Sequence, residues 1–253
     1  MTEPTTNPYA MPSSALHDAP TSSQAPSIDE ALSRGYDFSI GALISESWSL
    51  VKGTKGLIFA GLLIFYAVTF AGTFAVTLLL SSMGLMGAAE STSFLIFNQI
   101  ISMLITSAAY PFMAGIYMVG IRRAANQPVT FDLIFSQFGK FLPLLILAML
   151  MTLLMILGYL LLIIPGIYLS VAYGLAIPLM AERNLSPWQA METSRKAIHQ
   201  HWFKIFGLYI VLGVILLVSV IPVGIGLIWS LPLFILAFGV LYRTIFGVLP
   251  ATN

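Results

Sequence analysis

The polar residues that sit among long apolar runs are the ones able to do chemistry in this chain. Thr69, Thr73 and Thr77 recur every four residues, the spacing that places hydroxyls on one helix face. Asn98, Gln99, Ser102, Thr106 and Ser107 follow in the next apolar run. Neutral amides and hydroxyls at such positions either hydrogen-bond neighbouring helices or line a path for a neutral polar solute. Thr73, Asn98 and Gln99, beside the helix break expected at Pro111, are the residues of a candidate polar path. No Asp, Glu, Lys, Arg or His falls in the middle of any apolar run. That weighs against proton-coupled pumping and intramembrane hydrolysis, both of which rely on ionisable groups held in lipid.

Other constellations are weaker. His199 and His201 are two apart and point about 200° away from each other on a helix, unlike the i, i+4 pair that shares a metal. The chain has no cysteine, which removes disulfides, thiolate nucleophiles and zinc-thiolate sites. Nucleophile elbows, H-E-x-x-H and phosphate-binding loops are absent. Glu182 and Arg183 close an apolar run and are expected to meet Arg243 or lipid headgroups. We expect no catalytic residue, no metal, no cofactor and no nucleic-acid partner.

The elements that must position these residues are set by composition. Hydrophobic residues make up 58% of the chain and charged residues 8%, with a mean hydropathy of +0.93. A span needs about 20 apolar residues, and runs of that kind lie at 56–80, 95–121, 142–164, 167–181, 203–221 and 225–248. The expected fold is an all-α membrane protein of six transmembrane helices over residues 39–253. Residues 142–181 are short for two crossings, and a tight hairpin or a re-entrant pair both fit. Pro111, Pro178 and Pro232 interrupt spans two, four and six. Ser170 with Gly174 and Gly226 with Ser230 have the spacing for close helix packing.

Residues 1–38 hold five acids against Arg34, and five prolines lie among many Ser and Thr before residue 35. This composition cannot bury enough apolar surface to offset chain entropy, so residues 1–38 are expected to form a disordered cytoplasmic tail, and their polar character leads us to expect no secretory signal. With both termini in the cytoplasm, all eleven Lys and Arg fall on one side, and the opposite loops carry only Glu90. The expected location is the bacterial inner (plasma) membrane.

Three short amphipathic segments precede the odd-numbered spans and are expected to lie in the cytoplasmic interface. Ser39 caps the first, with Ile40, Leu43, Ile44, Trp48 and Val51 on one face. Thr130 caps the second, with Phe131, Ile134, Phe135 and Phe138. Ser186 caps the third, Pro187 takes its first position, and Met191, Ile198 and Trp202 mark a face toward the acyl boundary. Trp48, Lys52, Arg122, Arg123, Arg195, Lys196 and Trp202 are therefore candidate contacts for lipid or a protein partner.

The stretch from Leu160 to Lys204, with Pro165, Gly166, Glu182, Ser186, Pro187, Ala190, Ser194 and Trp202, resembles a pattern shared by bacterial membrane domains. That group includes the YciC-like proteins and the membrane domain attached to some glycerophosphodiester phosphodiesterases. Tyr110–Ala124 and Phe131–Phe138 resemble a related set of transmembrane proteins. The resemblance implies a membrane domain without the esterase. The interfacial helices and the basic charge gathered on one side lead us to expect a non-enzymatic role in membrane or envelope homeostasis, through lipid or as a scaffold for another membrane protein or a homo-oligomer. The alternative is a permease or lipid translocator with a neutral polar path.

Overall fold

The computed structural model describes residues 25–84 and 91–250, and these form helices with no strand among them. In chain order they are α1 (Ile28–Arg34), α2 (Ile40–Val51), α3 (Lys55–Ser82), α4 (Thr92–Ala108), α5 (Tyr110–Ala124), α6 (Phe141–Leu161), α7 (Ile163–Ala172), α8 (Ala176–Arg183), α9 (Pro187–His199), α10 (Trp202–Val220) and α11 (Leu227–Phe246). Five stretches are long and apolar enough to cross a membrane, and the number reaches six if α4 and α5, bent by 42° at their junction, make one span. Pro111 accounts for that bend: it has no N–H for the preceding turn and sits in the first turn of α5, where none is needed. Pro178 occupies the first turn of α8 in the same way, whereas Pro232 lies inside α11.

The break within 142–181 falls at Leu162, whose extended backbone separates α6 from α7. The two helices fold back tightly because Gly158 and Gly166 leave room: a Cβ on Gly158 would stand 3.1 Å from the Gly166 Cα. A second break, at Tyr173–Leu175, separates α7 from α8. Ser194 of α9 bridges it, donating to the Ala172 carbonyl (2.7 Å) and accepting from the Leu175 N–H (3.1 Å). The core gathers around α5 and α11, whose backbones touch at Gly120 and Gly239.

Ser39 and Ser186 cap α2 and α9 as their sequence position implies, and Gln189 completes a capping box at the second. Three expectations need correction. The second amphipathic segment is not an α-helix but two 3₁₀ turns, Phe131–Phe135 and Phe138–Lys140, and Thr130 makes no capping bond. Ser136 donates its hydroxyl to the Leu133 carbonyl at 2.7 Å, a local bond that competes with a continuing helix. The Ile134 carbonyl also lies against Gly115, where a Cβ would come within 2.3 Å.

The face of α9 that carries Met191 and Ile198 points into the protein, not to an acyl boundary: the two are 1% and 0% exposed. A 13-residue helix packed on α7 and α8 hides that face from any lipid. Finally, the described part of the expected tail is packed. Ala31 is buried, Tyr36 donates to the Ala197 carbonyl (2.9 Å), and Arg34 donates to the Ile245 carbonyl (3.0 Å). A short helix capped by Ser27 supplies enough contact to hold residues 25–38 on the bundle. Residues 1–24 and Glu90 lie outside the described residues.

Candidate functional site

The residues of the candidate polar path are not brought together. Thr69, Thr73 and Thr77 each donate to the carbonyl four residues back in α3, at 2.8–2.9 Å. Their hydroxyls are thereby satisfied within one helix. Asn98 and Gln99 are exposed on α4. Gln99 borders a cleft of about 180 Å³ with Ser102, Thr106, Ser107, Tyr110 and Thr152, and neither Thr73 nor Asn98 reaches it.

The candidate contact residues divide. Trp48 is exposed and forms two small clefts with Trp229, each of about 240 Å³, one of them also lined by Lys52. Arg123 donates to the Lys52 carbonyl (3.2 Å). Arg195 grips Glu192 through Nε and Nη2 at 2.8 and 2.7 Å, and Lys196 stands 3.7 Å from the same carboxylate. The hydrogen bond from Arg195 holds the Glu192 carboxyl below its ordinary range. Much of the positive charge expected to meet headgroups is therefore answered within α9. Glu182 does not engage Arg243. It pairs with Arg183 (2.7 Å) and accepts from the Tyr242 hydroxyl, while Arg243 pairs with Glu46 of α2 (2.7 Å). The turn after α11 brings Leu249 N–H onto Glu182 as well, at 2.6 Å, so the carboxylate is enclosed before Arg243 could reach it.

Trp202 belongs to a larger feature that the amphipathic pattern did not reveal. Its Nε1–H donates to the Tyr168 carbonyl (3.3 Å), and its ring stacks on Phe206 with centroids 5.0 Å apart. The Tyr168 hydroxyl meets His199 Nδ1 at 3.1 Å. Between α7 and the α9–α10 junction this opens a groove of about 750 Å³, walled by Ile164, Ile167, Phe203 and Phe206 with His199, Gln200, His201 and Lys204. Ile164 and Phe203 are 78% and 84% exposed, so the groove is continuous with the outer apolar surface. Lys204 also reaches Asp37, whose carboxyl that hydrogen bond holds below the usual range, and lies over the Phe38 ring.

No protein-family model, curated protein or solved structure matches the chain. The groove must be read from its own chemistry. It has an apolar floor, an aromatic stack and a polar group of imidazoles, amide and ammonium, with no cluster of three metal-ligating side chains among the described residues. Tyr168 could have been suspected from its place one turn after Pro165-Gly166. The pairing of Tyr168 with His199, 31 residues away, has no local signal.

Proposed function

We propose that this chain is an integral membrane protein that acts by binding membrane lipid, in the service of membrane or envelope homeostasis and without catalysis. The observation that carries the reading is the groove at α7 and the α9–α10 junction. Its volume falls within the range of about 300–1,000 Å³ typical of ligand sites. Its apolar wall runs out onto the membrane-facing surface, and polar groups share the same wall, which suits a molecule with an acyl chain and a polar head. In this reading α4 and α5 together make one span of six, both termini are cytoplasmic, and the membrane is the bacterial inner membrane. The resemblance of 160–204 to bacterial membrane domains fits the same role. The permease alternative draws no support from the cleft at Gln99, which neither Thr73 nor Asn98 lines.

Filling the groove tests the reading. Ile167→Trp should leave the protein folded in detergent and reduce the lipid retained on it in native mass spectrometry. A lipid complement identical to that of the unsubstituted protein would refute binding in this groove.

A further inference from the structure

A second concavity, sharing no residue with the first, lies where the end of α5, the 3₁₀ turns, the end of α8 and residues 248–250 meet. It encloses about 280 Å³. Two glutamines on its wall have their orientation dictated by their partners. Ser136 gives its only hydroxyl proton to the Leu133 carbonyl, so it can only accept from Gln137 Nε2 (3.0 Å). Gln127 Nε2 donates to the Leu249 carbonyl (2.8 Å), which has no proton to return. Both amides therefore turn their oxygens away from these contacts, and both Oε1 atoms are buried without a partner among the described residues. Gln137 is itself only 7% exposed. A buried acceptor without a donor is destabilising, and the described residues supply no donor to either of these two on the one cleft.

The charges on the same wall point to the rest of that ligand. Glu182, the one carboxylate there among the described residues, already accepts from Arg183 Nε, the Tyr242 hydroxyl and the Leu249 N–H (2.6 Å). Arg122 makes no side-chain hydrogen bond or ion pair among the described residues. Lys140 donates to the Ala181 carbonyl and keeps two further N–H donors. Two cations and two orphaned acceptors match an anion that also carries hydroxyl groups.

We propose that this cleft binds a phosphate ester bearing a free hydroxyl, of the glycerol phosphate type. Arg122 and Lys140 hold the phosphate oxygens, for which a guanidinium fork and an ammonium are suited donors. The hydroxyl donates to Gln137 Oε1. The same chemistry is offered by a soluble glycerol phosphate and by the headgroup of phosphatidylglycerol.

Titration calorimetry on the full chain in detergent, with glycerol 3-phosphate, inorganic phosphate and gluconate as probes, is paired with thermal unfolding in phosphatidylcholine nanodiscs with and without phosphatidylglycerol. Saturable binding of glycerol 3-phosphate, weakened at least tenfold by Arg122→Gln, is expected for a soluble source. Stabilisation by phosphatidylglycerol alone, lost in Arg122→Gln, identifies the lipid headgroup instead. In either case Gln137→Met should weaken the hydroxylated ester while leaving inorganic phosphate as it was, a split that a merely structural glutamine would not produce. Arg122 makes no side-chain hydrogen bond or ion pair among the described residues that its replacement would break, so its variant keeps the test available if Gln137→Met does not fold. The proposal fails if neither source binds, if Arg122→Gln binds as well as the unsubstituted chain, or if gluconate binds as tightly as the phosphate ester.

Discussion

Two regions of this molecule contain similar polar residues and use them in opposite ways. In the inner assembly of α5, α8, α9 and the second half of α11, polar side chains bond across elements: Ser194 to the α7–α8 break, Tyr242 to Glu182, Arg183 to the carbonyls of Pro26 and Phe246. In the outer arm, made of α4 and the second half of α3, Thr69, Thr73 and Thr77 bond only to their own helix, and Asn98 and Gln99 are exposed. A hydroxyl that closes on its own turn says nothing about its neighbours. One that spans two elements fixes their relative position, because leaving it unpaired in a buried site is costly.

Substitutions sharpen the contrast. The largest effect is expected at Gly239, where a Cβ would stand 2.3 Å from the Gly120 carbonyl oxygen. Gly239→Val should lose about 3 kcal/mol or more by overpacking two backbones that cannot retreat, whereas Gly213→Val, with open space around it, should be near neutral. Reversible unfolding in mixed micelles would measure both, and equal losses would erase the distinction. Tyr242→Phe comes next, with a loss of about 2 kcal/mol, the size of a hydrogen bond to a charged group. Ser194→Ala should follow at about 1–2 kcal/mol, since the Leu175 N–H is left buried without its acceptor. The same unfolding assay on Thr73→Val should show a change within about 0.5 kcal/mol. A larger loss there would mean that α3 has a polar partner in the membrane.

The smallest expected effect concerns Asp37, whose carboxyl Lys204 holds below its ordinary range. Because the folded-state value is depressed, the contribution of this exposed pair is fully present above the ordinary carboxylate pKa. It is lost as pH falls through the depressed one. A thermal-stability profile between pH 6 and 3 should show a shallow acid-side loss that is reduced in Asp37→Asn.

The residues that carry the sequence resemblance turn out to be the frame of the inner assembly. Ser186 caps α9 and Pro187 starts it; Ala190 is buried; Ser194 bridges the α7–α8 break; Glu182 is enclosed by Tyr242 and Arg183; Trp202 bonds the Tyr168 carbonyl. Their spacing is legible along the chain, but the partner that each one finds is not.

What the sequence determined by itself is what depends on neighbours along the chain. Apolar runs long enough to span, the caps at Ser39 and Ser186, and the breaks near Pro111 and Pro178 all follow from local rules of hydropathy, capping and missing N–H groups. Hydropathy averages over all faces of a helix, however, and holds no record of which face meets which partner. Only the tertiary structure decided that Met191 and Ile198 face protein, that residues 131–140 tighten into 3₁₀ turns beneath Gly115, and that residues 25–38 pack on α9 and α11. The physical reason is range: Glu182 and Tyr242 are 60 residues apart and Arg34 and Ile245 are 211 apart, separations at which no local period can specify a contact.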